Sequence, residues 1–203
     1  MEKRISNYDI TKKRMQPEFL KYDQSEMIRK FCLENDADSI YITLFSRKYR
    51  IDRKSGAVYL EKEEADHNAA MTIYDILCWS KPDCAPSGEL VNMHSLSTLH
   101  SSSVTLGGGL FENVARYFDG KERSLENALV SLGGEKWGRG DVAYKIPMFG
   151  NLWAGVMFWS ADDEFPASLS LMVDKNLLQY MHFETMWYVL SLMLEIIKAE
   201  MAG

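Results

Sequence analysis

The sequence predicts an α+β fold, with an antiparallel sheet of about six strands in two meanders packed with about five helices. Three observations lead to this prediction. Residues 142–173 read as three strands joined by short breaks, residues 39–60 repeat that pattern, and the other segments carry apolar residues at helical spacing. Short connections favour antiparallel neighbours, because a parallel pair needs a long crossover.

The strand predicted over Leu152–Trp159 is the centre of this arrangement. Its two alternating sets of side chains are both apolar, with Trp153 on one face and Phe158 on the other. Such a strand needs cover on both faces, from helices or from a partner subunit. Its predicted neighbours are 142–148 and 168–173, and the second alternates polar with apolar residues as an edge strand does.

The remaining elements follow in chain order. They are a polar arm (1–22), a helix (24–34), strands (39–45, 49–52, 58–60), a helix (66–79), an irregular loop or lid (80–109), two helices (111–118, 125–132) and a last helix (183–201). The helices are predicted from apolar residues at helical spacing, such as Phe111, Val114, Ala115 and Phe118. Pro17 predicts that any helix in the arm is short. The length predicts a single domain over 1–203.

The last helix is apolar over most of its surface, and only a narrow stripe is polar. We interpret it as a central core helix. The alternative is a homodimer interface, because apolar patches of that size are rare on monomers.

Composition excludes several classes of protein. The net charge is −6, and no long Lys/Arg cluster indicates nucleic-acid binding. No run of about 18 apolar residues predicts a membrane span, and no apolar signal-peptide region follows Met1, so the cytoplasm is the default compartment. The three cysteines are odd in number and lack a C-x-x-C pair, so neither a disulfide framework nor an intrinsic iron–sulfur cluster is expected. No cofactor is indicated.

The bend at residues 160–166 carries three consecutive carboxylates, Asp162, Asp163 and Glu164. One interpretation is a solvated turn, in which Asp bonds its own backbone. The other is a metal-dependent hydrolase, with Asp163 and Glu164 as hard-cation ligands and His182 as a further ligand or general base. No metalloenzyme or nucleophile motif is met, so catalytic residues and enzyme status stay open.

A non-catalytic ligand-binding or accessory domain is the interpretation that we prefer. It places a pocket beside the bend, gated by residues 80–109, because pockets combine aromatic walls with a few polar groups. The candidate ligand-binding residues are Asp162, Asp163, Glu164, Asp174, Trp137, Asp141, Tyr144 and Trp159, with Trp153 as a further aromatic. A structural subunit that works through the last helix is a third interpretation.

The sequence also resembles an uncharacterised domain-of-unknown-function family found mainly in anaerobic bacteria and archaea. The resemblance is carried by Ile73-Tyr74-Asp75, Phe118-Asp119-Gly120, Leu132-Gly133-Gly134, Gly140-Asp141-Val142-Ala143-Tyr144 and Asp162-Asp163-Glu164-Phe165-Pro166, with Asp174 and Glu184. Some members carry iron–sulfur modules or accompany corrinoid proteins. The resemblance therefore implies a role in anaerobic metabolism with an iron–sulfur or corrinoid partner, and it supplies no catalytic residues.

Overall fold

The structure is a computed structural model that describes residues 7–96 and 108–203. The α+β class and the antiparallel pairing are confirmed, but the strands form two sheets, of four and five strands, rather than one sheet of six. The helices described are α1 (Asn7–Phe19), α2 (Gln24–Phe31), α3 (His67–Trp79), α4 (Gly108–Phe118), α5 (Glu122–Ser131) and α6 (Phe183–Ala202). The strands described are β1 (Ser39–Leu44), β2 (Arg47–Asp52), β3 (Val58–Leu60), β4 (Glu63–Glu64), β5 (Leu90–Asn92), β6 (Glu135–Lys136), β7 (Val142–Phe149), β8 (Leu152–Trp159) and β9 (Ser168–Asp174).

The chain divides into two compact units. Unit 1 comprises Met1–Ala85 and Leu178–Leu192, and unit 2 comprises Pro86–Leu177 and Met193–Gly203. The first sheet lies in unit 1 and the second in unit 2, while α6 contributes its first half to unit 1 and its second half to unit 2. The single domain over 1–203 stays a prediction.

Unit 1 is built on the meander β1-β2-β3-β4, in which Ile42 pairs with Tyr49 and Arg50 with Tyr59. The turn from β2 to β3 contains Gly56 at φ +76°. A side chain there would also collide with the backbone carbonyl of Gln16, so glycine is required twice over.

The predicted polar arm contains a helix of 13 residues, α1, which is longer than Pro17 led us to expect. Pro17 removes the one bond that its N–H would donate to the Lys13 carbonyl, and only two helical residues follow it in α1. The helix is held by tertiary contacts. Phe19 is buried with its ring centroid 6.2 Å from that of Tyr74, and Lys12 Nζ donates to the Ala65 carbonyl at 2.9 Å.

Unit 2 is built on the sheet β5-β9-β8-β7-β6, with β8 at its centre as predicted. Val156 of β8 pairs with Tyr144 on one side and with Leu171 on the other. The prediction that 168–173 is an edge strand is wrong, because β5 pairs with β9 beyond it and matches Val91 with Val173. In β9 the alternation of polar and apolar residues reflects one buried and one partly exposed face of the sheet, and not a position at its edge.

The two faces of this sheet are covered differently. On the inner face, Phe158 is fully buried with its ring 6.0 Å from Phe118 of α4, and Tyr144 bonds Glu126 of α5. On the outer face, Trp153 and Met157 are only half-buried. The expected cover of β8 is therefore confirmed on the inner face, while on the outer face this chain supplies partial cover and a partner subunit stays a prediction.

The last helix is apolar because its residues are buried within this one chain, including Met186, Leu190, Met193 and Ile197. This agrees with a core helix, and the homodimer stays a prediction. Within the described residues, no helix combines the length and the apolar character needed to cross a membrane.

Of the irregular segment predicted over 80–109, residues 97–107 lie outside the described residues, and with them His100 and the gating role expected of that stretch. The described part includes β5 and a 3₁₀ turn, Met93–Leu96. Part of the segment is therefore regular, because β5 spans Leu90–Asn92.

Candidate functional site

The outer face of the unit 2 sheet is shaped by a glycine in its central strand. A Cβ atom placed on Gly155 would lie 3.1 Å from Trp137 Cζ3 and 2.9 Å from Met172 Cβ. Both distances are shorter than ordinary van der Waals contact, so only glycine lets the indole of Trp137 lie this close to the strand. Trp137 follows β6 and reaches this position because its backbone N–H bonds the carbonyl of Ala143 in β7.

Beside Trp137 the outer face forms a cavity of about 380 Å³, which we call the tryptophan groove. Its lining residues are Pro86, Ser87, Gly88, Leu90, Trp137, Lys145, Asn151, Trp153 and Asp174. All of them belong to unit 2, and most stand on or next to strands of one sheet. The groove therefore has a rigid floor and aromatic walls, as small-molecule sites commonly do.

Lys145 supplies a positive charge to the groove. Its Nζ lies 4.4 Å from the ring centroid of Trp153 and 2.9 Å from Oε2 of Glu135. The lysine side chain is 28% exposed and the glutamate 58% exposed. The ammonium is thus held over an indole face by a carboxylate that is itself open to solvent.

Asp174 forms the end wall of the groove, and its carboxylate is only 2% exposed. Four donors reach it at 2.8–3.0 Å: the backbone N–H groups of Ser87, Gly88 and Asn176, and the hydroxyl of Ser87. Asp174 therefore fixes the 86–88 loop, and its oxygens are occupied by these donors.

Within the acidic bend, residues 162–165 form a turn that bonds to itself. Asp162 accepts hydrogen bonds from the backbone N–H groups of Glu164 and Phe165 at 2.9 and 2.7 Å, while Asp163 and Glu164 are exposed. Ahead of it, Ser160 N–H donates to Asp141 at 2.8 Å. This is the arrangement of an Asx turn, in which the aspartate serves the backbone. No cluster of three or more potential metal ligands (His, Cys, Asp, Glu) occurs among the described residues.

The predicted site residues do not gather in one place. Trp137 and Asp174 line the tryptophan groove, next to the first residues of β8, whereas Asp162, Asp163 and Glu164 follow its last residue, Trp159. A strand of that length spans roughly 25 Å.

Two further candidates lie away from the groove. Trp159 is half-buried at the end of β8. Tyr144 faces the helices and donates to Glu126 at 2.6 Å, and the pKa of Tyr144 is raised by burial and by that bond, while the bond lowers the pKa of Glu126.

His182 belongs to unit 1, where it forms what we call the aspartate–histidine pair with Asp75. Asp75 is 2% exposed, and one carboxylate oxygen accepts from the His182 backbone N–H at 2.7 Å while the other lies 2.8 Å from the ring Nδ1. Because an aspartate accepts hydrogen bonds, we assign the proton to Nδ1 and the free lone pair to Nε2. The His182 side chain is 57% exposed, with the ring of Trp79 5.2 Å away.

The nearest cysteine offers no nucleophile to this pair. Burial raises the pKa of the Cys78 thiol to about 12, with a further contribution from Asp75. At neutral pH the sulfur is therefore protonated and unreactive.

Sequence reasoning missed Lys145 and Asp75 as functional candidates. Each carried a signal, because Lys145 is the one charged residue in β7 and Asp75 interrupts a run of buried apolar residues in α3. The 86–88 loop carried none, since only the fold brings it to Asp174.

No curated protein and no solved structure matches this sequence. The family described as domain of unknown function (DUF3786) matches residues 23–195, which is most of the chain and includes the tryptophan groove and the aspartate–histidine pair. The chain belongs to the DUF3786 family of domains of unknown function.

Proposed function

We propose that this protein is a non-catalytic small-molecule-binding domain whose site is the tryptophan groove. The observation that carries the proposal is a cavity of about 380 Å³ with two half-exposed indoles, Trp137 and Trp153, on a rigid sheet. Ligand cavities commonly measure about 300 to 1,000 Å³ and combine apolar walls with a few fixed polar groups.

The polar groups of the groove favour binding over reaction. The Asp174 carboxylate is engaged by four donors, and the Lys145 ammonium is engaged by Glu135 and by the Trp153 ring. Neither group is a free acid or base poised beside a substrate, so the groove supports recognition of a flat, largely apolar molecule.

The proposal is tested by saturation-transfer NMR with a panel of small planar compounds, among them indole, naphthol and naphthalene sulfonate. Trp153→Ala removes one wall and is expected to weaken the binding compounds about tenfold, since a lost stacking contact costs about 1 kcal/mol or more. Trp159→Ala is the matched control, because Trp159 is half-buried on the same strand face but outside the groove. If no compound distinguishes the two variants, the proposal is wrong.

A second candidate function is proton transfer at the aspartate–histidine pair. The observation that favours it is that Asp75 bonds both the backbone N–H and the ring of His182, which fixes the ring of a side chain that is 57% exposed. This arrangement of carboxylate and imidazole is the one that general bases use.

The second candidate is tested with p-nitrophenyl acetate as the probe, whose hydrolysis a competent imidazole base accelerates. His182→Gln and Asp75→Asn should both lower the rate, while His94→Gln, at an exposed residue, should not. Equal rates in all four proteins would exclude a reactive imidazole at His182.

The partners implied earlier remain proposals of lower rank. These are a homodimer through α6, an iron–sulfur or corrinoid protein partner in anaerobic metabolism, and a cytoplasmic location. Sedimentation equilibrium of the purified chain tests the first, because a monomer at all concentrations would remove it.

A further inference from the structure

We propose that the ligand of the tryptophan groove is a planar aromatic anion, in contact with the Trp137 and Trp153 side chains and with its negative charge on Lys145. This inference rests on the proposed function of the groove. It adds the shape and the sign of charge of the ligand, and both are argued from the groove itself.

The shape follows from the two indoles. The ring of Trp137 lies on the sheet over Gly155, and Trp153 stands two residues earlier on the same strand face. Aromatic side chains attract other aromatic rings in offset or edge-to-face arrangements, beyond the area that they bury. A flat ring system is therefore the molecule that gains most from these walls.

The sign of charge follows from what each charged lining residue already does. Asp174 is 2% exposed and accepts four hydrogen bonds, so its oxygens are engaged by the 86–88 loop and Asn176. Lys145 is 28% exposed, and its ammonium remains within reach of the cavity that it lines. The charged group that the groove offers to a ligand is thus the Lys145 ammonium.

A cationic ligand is disfavoured by the same geometry. Indole faces attract cations, but the face of Trp153 already carries the Lys145 ammonium 4.4 Å from the ring centroid. A second cation on that ring would meet a like charge at close range. The groove therefore differs from an aromatic cage for quaternary ammonium groups, whose walls are free of cations.

Glu135 acts as the built-in counter-ion that an anionic ligand replaces. Its carboxylate holds Lys145 at 2.9 Å and is 58% exposed, so water already surrounds much of it. Surface ion pairs of this kind contribute little to stability and exchange readily. A ligand anion that also contacts the two indoles competes well for the ammonium.

The experiment compares naphthalene sulfonate, naphthol and naphthylmethylamine, which share a ring and differ in charge at neutral pH. Affinities come from titration calorimetry on the full chain at low salt. We expect the sulfonate to bind about tenfold more tightly than naphthol, as one charge-assisted hydrogen bond allows, and we expect the amine to bind most weakly.

Two variants at the ion pair separate charge from shape. Lys145→Gln should weaken the sulfonate about tenfold and leave naphthol within about twofold, because only the anion uses the ammonium. Glu135→Gln should strengthen the sulfonate about two- to fivefold by removing its competitor. Lys145→Arg keeps the charge and should keep most of the preference for the anion. Circular dichroism and thermal unfolding check the fold of each variant.

The outcomes separate this inference from the proposed function. If sulfonate and naphthol bind equally and both depend on Trp153, the anion is refuted while the binding site stands. If none of the three probes binds, both are refuted. If Glu135→Gln weakens the sulfonate, the role of Glu135 as a competitor is refuted even where the anion is preferred.

Discussion

Two aspartates with the same burial do opposite things in this protein. Asp174 in unit 2 and Asp75 in unit 1 are each 2% exposed. Asp174 gives its oxygens to the backbone and hydroxyl groups of one loop and to Asn176. Both carboxylate oxygens of Asp75 bond to one residue, His182. One accepts from the backbone N–H of His182, and the other bonds its ring Nδ1.

The difference shows that the partner, rather than burial, decides what a buried carboxylate does. Bonded to backbone donors, Asp174 sets the shape of a cavity wall and offers no chemistry of its own. Bonded to an imidazole, Asp75 selects the tautomer of a ring whose side chain is exposed, and leaves the lone pair on Nε2. The first supports a binding site, and the second supports a proton acceptor.

The largest effect is expected from Asp174→Asn. An amide replaces one acceptor oxygen by a donor, which then faces the N–H groups of the 86–88 loop. We expect a loss of about 2 to 4 kcal/mol in the free energy of unfolding, because buried donors lose a charged acceptor. Urea denaturation measures it. Asp163→Asn, at an exposed residue, is the control and should change stability by less than about 0.5 kcal/mol.

Asp75→Asn should cost less, about 1 to 3 kcal/mol, since only the two bonds to His182 are affected. Its clearer effect concerns the ring. Long-range ¹⁵N–¹H NMR should show Nδ1 protonated in the wild type and a mixture of tautomers in the variant. A wild-type ring protonated mainly on Nε2 would contradict the contrast drawn between the two aspartates.

Gly88→Ala tests whether the 86–88 loop, which is bonded to Asp174, shapes the groove. Gly88 has φ +73°, and a Cβ atom there would meet nothing within 4 Å, so the cost is backbone strain alone. We expect about 1 kcal/mol, measured by urea denaturation, together with weaker binding in the groove. Gly120→Ala is the matched control, with φ +72° and equally open space but no place in the groove, and it should cost stability without affecting binding.

The smallest effect is expected at Cys78, which lies in the helix that carries Asp75. With a thiol pKa of about 12, its thiolate fraction at pH 8 is about 10⁻⁴. Iodoacetamide at pH 8 should therefore label the exposed Cys32 and leave Cys78 unlabelled in the native protein, as read by peptide mass spectrometry. Between the ordinary pKa of a thiol and about 12, the Cys78 thiol loses its proton in the unfolded state but keeps it in the folded state. The free energy of unfolding should therefore fall as the pH rises through this range. Rapid labelling of Cys78 at pH 8 would show that the thiol is accessible and ionised.

The regular parts of the fold could be predicted from the sequence. Strand β8 has the predicted bounds, because eight apolar residues between turn signals leave few alternatives. Strands β4 and β6 were missed, since Glu63–Glu64 and Glu135–Lys136 are two charged residues each and show no apolar alternation. Division into two sheets was also missed, because strand patterns do not specify which meander pairs with which.

The candidate site was predicted less well, for reasons of distance along the chain. Trp137 and Asp174 were named as candidates and do line the groove. Ser87 and Gly88 line it too, but they lie more than eighty positions before Asp174 in the sequence. The acidic bend attracted attention because its carboxylates are consecutive, yet Asp162 is bonded to its own turn. The spacing of residues along the chain reveals clusters of neighbouring residues, whereas the groove is built from residues that are far apart in the sequence.

The borders of the unit 2 sheet have a consequence for how the protein meets other chains. Its long strands lie inside, while β5 and β6 at the two margins are three and two residues long in the described structure. So short a margin offers an incoming strand few backbone groups to pair with, and β6 consists of a glutamate and a lysine, which discourage such pairing. The unit 2 sheet should therefore meet other chains through its side chains, and strand addition at its two margins is disfavoured.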